Sequence, residues 1–180
     1  REGQPLAEFD FASDQKRNKL VARQMMRMVA EINHRLDTIP ERGKPPVTAT
    51  CMTCHRGVNR PIPLSALVQD VTVTAGVDSA VRAYKALRAR YYGRDAYDFS
   101  EPSLSIAAFR TAQAGKPDEA LTLLRYNEEL FPNSSAMAVF KGNIQLMKGD
   151  TALAEASFRE AIRRDSTNAE ARGRLKAIGR

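Results

Sequence analysis

Toward the C-terminal end of the chain, a set of small and apolar positions returns after 34 residues. Gly115, Ala120, Leu124 and Pro132 are followed, each 34 places on, by Gly149, Ala154, Phe158 and Ser166. A period of that length holds one helical hairpin. A single hairpin cannot bury its own apolar face, so it must stack on a neighbour. Glycine falls where one helix turns into the next, and alanine falls where helices cross. The spacing predicts helix pairs over 104–114 and 117–131, then 135–148 and 151–164, with 168–178 as a solvent-facing cap. The fold class implied is all-α.

This pattern resembles the tetratricopeptide repeat. Ala108 and Gly142 stand at the close-packing position of that repeat, whereas the bulky position three residues further on holds Thr111 and Gln145. A helix over 76–90, with Ala80, Tyr84 and Leu87 on one face, echoes the spacing of Ala154, Phe158 and Ala161 and reads as half of a further, degenerate unit. About three units is the usual minimum for a stable array. Before it, 61–75 reads as a linker. Pro61 and Pro63 precede a short helical stretch at 64–67, and the alternating Val71-Thr72-Val73-Thr74 has no strand to pair with.

The other constraint is chemical. Cys51-Met52-Thr53-Cys54-His55 contains both cysteines of the chain and one of its two histidines. Two thiols three positions apart can add to the two vinyl groups of one haem, and the histidine that follows is placed as its proximal iron ligand. A thioredoxin-like C-x-x-C wants a strand before it and a helix after it. Here the approach is Pro45-Pro46-Val47-Thr48 and the exit is Arg56-Gly57-Val58-Asn59-Arg60-Pro61. A structural zinc site wants a fourth ligand, and the remaining histidine, His34, lies far upstream.

Upstream, Val21, Met25, Met28, Ile32 and Leu36 recur at helical spacing, widened by Val29, and predict a helix from 16 to about 38. Ser13 or Asp14 is expected to cap it, and Pro40 to end it. Before it, residues 1–13, with Gly3, Pro5, Phe9 and Phe11, read as an irregular leading segment. A haem iron has a second axial position, and Met25, Met26 and Met28 each offer a thioether. Met25 and Met28 lie on the apolar stripe, Met26 is turned about 100° from Met25, and His34 lies about 180° round from it. Methionine is therefore favoured over His34 as the distal ligand. The 13 residues 38–50 span up to about 44 Å when extended, against about 18 Å from Met25 to the helix end, so the loop reaches.

The segment FDFASDQKRNKLVARQMMRMVAEIN, a loop, and VTATCMTCHRGVNRPIP together resemble one haem-binding unit of the cytochrome subunit of photosynthetic reaction centres. The pattern A-R-x-M-x-x-M-x-x-x-I-N maps onto Ala22, Arg23, Met25, Met28, Ile32 and Asn33, and the resemblance covers roughly residues 9–63. It implies one covalently attached haem c held by Cys51 and Cys54, His55 as proximal ligand and Met25 as distal ligand, with Met28 the second choice. Between Thr38 and Thr50 there is no histidine of the kind that serves a neighbouring haem in that family. The chain also lacks an upstream C-x-x-C-H, which implies that a haem partner was lost or sits in another polypeptide. The organisation expected is a c-type haem-binding module over 1–67, a connector with a degenerate repeat helix over 68–100, and repeats with a capping helix over 101–180.

A net charge of +7 and a pI near 9.7 suit an acidic docking surface on a redox partner protein. Nucleic acid is disfavoured because the basic residues are interleaved with acids. No apolar run reaches the roughly 20 residues that a membrane span needs. Haem attachment implies the periplasmic or extracellular face of a bacterial membrane, with Arg1 the start of a processed chain. No catalytic constellation is visible, so a single-electron carrier is expected, with the repeats for docking to a membrane-bound complex or for self-assembly. The alternatives are an assembly subunit in which the haem is mainly structural, and a haem enzyme or gas sensor with an open sixth coordination site.

Overall fold

The computed structural model describes residues 5–8, 10, 12–41 and 43–179, and among them the regular structure is wholly helical. Phe9, Phe11 and Gly3 of the leading segment lie outside the described residues. The chain divides into two compact units, 1–61 and 62–180.

The first unit contains α1 (Arg17–Asp37) and the one-turn α2 (Cys51–His55). α1 ends at the Thr38 cap, two residues before Pro40, where the proline excludes helical backbone. Its start differs from the expectation. The N-cap is Lys16, which makes no side-chain capping bond. Asp14 is engaged elsewhere, accepting from Arg23 Nε at 2.6 Å, and Ser13 Oγ accepts from the Gln15 amide.

The second unit is an array of helical hairpins. α3 (Leu64–Ala75) and α4 (Val77–Tyr91) form the first pair, α5 (Glu101–Gln113) and α6 (Pro117–Leu130) the second, and α7 (Ser135–Lys148) and α8 (Thr151–Arg164) the third. α9 (Ala169–Ile178) closes the end against α8. α3 packs on α5, α4 on α6, and α5 and α6 on α7, so each hairpin covers the face of the next. Gly115 and Gly149, at φ +83° and +87°, make the two equivalent turns 34 residues apart. Their left-handed backbone is open to glycine without steric cost.

The segment read as a linker is the helix α3. Leu64, Val68 and Thr72, four residues apart, are all buried in it. Packing that face on α4 and α5 outweighs the modest helix penalty of its valines and threonines. Thr72 satisfies its buried hydroxyl by donating to the Val68 carbonyl at 2.7 Å. Lys116, before α6, donates to the Val73 carbonyl at 3.0 Å and ties the two elements together.

The unusual polar positions of the array are also paired. Thr111 is fully buried and donates to the Ala107 carbonyl, while the Gln145 side-chain oxygen accepts from Ser157 Oγ at 2.6 Å. Buried Asn127 donates to the Glu101 carbonyl and to Ser105 Oγ, binding α6 to α5. Arg164 spans a wider seam, donating to Glu128, Glu160 and the Ser134 carbonyl.

Closest of all is the approach at Gly142. A Cβ there would stand 2.6 Å from Cε1 of fully buried Phe158, with two further ring carbons inside 3.0 Å. Gly142→Ala gains about 1 kcal/mol of helix propensity but overpacks an immobile ring at a cost of about 1–3 kcal/mol. The expected outcome is a net loss of stability by denaturant titration, relieved when Phe158→Leu is added. A second prediction concerns acid. Arg163 and Arg164 donate to Glu160 and hold its carboxyl down to about 2. A depressed carboxylate adds stability above its ordinary value that is lost as pH falls toward 2. Glu160→Gln should flatten the decline between pH 4.5 and 2 in thermal melts, and added salt should shrink the difference.

Candidate functional site

α1 turns Val21, Met25, Met28 and Ile32 to one arc of its surface, and none of them is buried. Val21 is 43% exposed, Met25 37% and Met28 50%. No residue of this 21-residue helix is buried. Val29 and Leu36, on the same arc, are half-buried, and Met26, on the flank, and His34 are exposed. A continuous apolar stripe of this kind marks a surface built to be covered.

Asn33 lies eight residues beyond Met25, about 80° round the helix and about 12 Å along it. Its side-chain amide is used at both ends. Nδ2 donates to the Ala49 carbonyl at 2.9 Å, and Oδ1 accepts from the Ala49 amide at 2.7 Å. The loop from α1 is thereby returned to the helix two residues before Cys51.

Thr50 then starts α2. Its hydroxyl accepts from the Thr53 amide and the Thr53 hydroxyl accepts from the Thr50 amide, a reciprocal capping box that supports a helix of only five residues. Cys51 and Cys54, three apart in a helix, share one face; both are exposed free thiols. After His55 the backbone turns left-handed at Arg56 and Gly57, with φ of +48° and +85°. The reversal brings the Val58 carbonyl to 2.9 Å from His55 Nδ1. A carbonyl only accepts, so Nδ1 carries the proton and Nε2 keeps its lone pair for a metal.

The structure thus brings Cys51, Cys54 and His55 together on one turn, and it clasps that segment to the helix bearing Met25 and Met28. The roles of Asn33, Thr50, Thr53 and Val58 are not evident from residue type. The T-x-x-T spacing was the one available signal, a variant of the capping box. Among the described residues no group of three or more His, Cys, Asp and Glu side chains converges as a metal cage. The donor set instead fits a haem: two thiols on one face, an imidazole of fixed tautomer, and thioethers on an apolar stripe.

Residues 5–93 match the family model of the photosynthetic reaction centre cytochrome C subunit. The match takes in α1 to α4, just under half of the chain, and makes this stretch a reaction-centre cytochrome c-like unit. No curated protein gives a significant match. Among the described residues no helix is long and apolar enough to cross a membrane.

The turn after His55 is the most sensitive local element. Gly57→Val places a β-branched residue at φ +85°, with an expected strain of about 1–3 kcal/mol. The His55 ring should lose its fixed orientation, seen in NMR as loss of the slowly exchanging Nδ1 proton.

Proposed function

We propose that the chain, whose residues 5–93 form a reaction-centre cytochrome c-like unit, is a monohaem c-type cytochrome that passes single electrons, with its helical array serving to dock it. The observation that carries this reading is the His55 Nδ1–Val58 bond at 2.9 Å. It leaves one committed nitrogen beside two free thiols on the same turn.

Cys51 and Cys54 would hold haem c covalently, each thiol adding its sulfur and its hydrogen across one vinyl double bond. His55 Nε2 and Met25 Sδ would serve as its iron ligands, with Met28 as second choice to Met25. When bound, the haem supplies a one-electron iron couple whose potential histidine–methionine ligation raises. The residues of α1 contribute an apolar wall: Val21, Met28 and Ile32 flank Met25 and would exclude water from that side of the bound group. A site whose two iron ligands both came from the chain would suit electron transfer rather than catalysis.

Covalent haem attachment and the likeness to reaction-centre cytochromes support a site of action on the periplasmic face of a bacterial membrane. The partner is a redox protein with an acidic docking surface, in keeping with the +7 charge, and the hairpins at 101–180 are read as tetratricopeptide-like units that bring the two together.

The test combines mass, spectrum and ligand replacement. The matured chain should carry one haem adduct, lost in Cys51→Ser/Cys54→Ser. Its ferric form should show the weak long-wavelength band of thioether-to-iron coordination. Met25→Ala should abolish that band, lower the potential and let the ferrous form bind carbon monoxide, while Met28→Ala keeps the band and the resistance to carbon monoxide. The opposite pattern would make Met28 the ligand. Carbon monoxide binding by the unaltered protein would overturn the electron-carrier reading in favour of an open-site sensor or enzyme.

A further inference from the structure

From the geometry around Ala49 we infer that Asn33 is the positioning residue of the haem site, fixing how the C-x-x-C-H turn is presented to the methionine helix. The inference rests on the haem reading above and gives a role to Asn33, which stands in the methionine-helix pattern but which the ligand chemistry does not call on.

Three observations lead to it. First, α1 has no buried residue, so the first unit does not hold loop to helix through a protein core at that surface. Second, the Asn33 amide makes two hydrogen bonds to one residue, donating to the Ala49 carbonyl and accepting from the Ala49 amide. The pair reproduces the two-point pairing that one strand residue makes with another, so it fixes orientation as well as distance. Third, the segment from Ala49 to Val58 is hydrogen-bonded at both ends of α2, which restrains it locally. The Thr50–Thr53 box sets the start of α2, and the Arg56–Gly57 turn and the His55–Val58 bond set its end. A segment so restrained, held at its first residue, transmits that constraint to its last, so one amide aligns both thiols and the imidazole with the arc carrying Met25 and Met28.

The side chain suits the task on chemical grounds. An amide offers a donor and an acceptor together, which the Ala49 peptide requires. Asn33→Asp keeps the acceptor for the Ala49 amide and sets a second oxygen against the Ala49 carbonyl. Asn33→Ala removes both bonds.

Three full-length matured proteins, unaltered, Asn33→Ala and Asn33→Asp, are compared by amide hydrogen exchange and by spectroscopy. Exchange at the Ala49 amide should accelerate about tenfold or more in Asn33→Ala, as expected for loss of two hydrogen bonds, and less in Asn33→Asp. The spectroscopic readout is one that plain destabilisation leaves alone. In folded Asn33→Ala at low temperature the thioether-to-iron band should weaken, the ferrous form should bind carbon monoxide in part, and the potential should fall. Asn33→Asp should lie between the two. If the Ala49 amide is released while the band, the potential and carbon monoxide resistance stay at their unaltered values, Asn33 is a tether only and the positioning role is overturned. Unchanged exchange at Ala49 overturns the clasp itself. If the unaltered chain carries no haem, the haem reading fails, while the exchange comparison still decides whether Asn33 holds the loop.

Discussion

A histidine can serve one face of a flat cofactor only when its ring is held still and its second nitrogen is occupied. Here both conditions rest on one bond, from His55 Nδ1 to the Val58 carbonyl. That bond exists because the chain doubles back through two left-handed residues, Arg56 and Gly57. Glycine takes the larger positive φ at no cost; arginine at +48° does not, and its strain is tolerated because the surrounding turn is fixed. The turn in turn needs α2 to end at His55, and five residues are far too few to be helical unaided. The threonine capping box supplies what propensity cannot. The site is therefore a chain of small local constraints, each worth about a kilocalorie per mole, that converge on one imidazole nitrogen.

The two units solve the problem of burial differently. In the hairpin array, faces are closed by neighbouring helices, and the buried set runs unbroken from Leu64 and Val68 through Leu104 and Leu123 to Met137 and Ile144. In the first unit, a helix of 21 residues leaves its apolar arc outward. Most helical stability in proteins comes from packing such a face rather than from propensity. A haem laid against Val21, Met25, Met28 and Ile32 would act as core and cofactor together. On that account the proposed ligand Met25 is also part of the hydrophobic seal, and changing it would alter both stability and redox behaviour.

Legibility in the sequence followed the range of the interaction. The third hairpin was readable to its ends, because Gly149 marks the turn and the 34-residue period fixes the register. The C-x-x-C-H motif could be singled out because its residue types stand in five adjacent positions, but the short helix that carries it was not expected. α3 was not readable. Its valines and threonines carry a strand-like alternation at 71–74, and only the burial of Leu64, Val68 and Thr72 against other helices reveals the helical period. The cap of α1 was misread for a related reason. Asp14 is a good capping residue by type, but a longer reach to Arg23 claims it. The Asn33 clasp lay beyond reach altogether. It pairs a side chain with a peptide group 16 residues away, and every residue offers a peptide group, so nothing at Ala49 distinguishes it from its neighbours.

The hairpin of α3 and α4 has a double allegiance. Likeness assigns it to the cytochrome-like stretch, which runs to residue 93. Packing assigns it to the array, where α3 covers α5 and α4 covers α6. Both can hold if the pair is the first layer of the array and also part of what the cytochrome-like sequence specifies. The aromatic cluster at its far end favours this arrangement. Tyr84 is buried edge-on to Phe99 and Tyr126, each with ring centres 5.7 Å away, so a residue of α4 is the common neighbour of the following loop and of α6. Edge-on aromatic pairs of this kind add about 0.5–1.5 kcal/mol each beyond simple burial. A chain cut anywhere between 76 and 100 would strip α5 of the α3 layer that packs on it. The repeats therefore depend on residues inside the cytochrome-like stretch, and the two halves of the sequence cannot be separated at the point where the likeness ends.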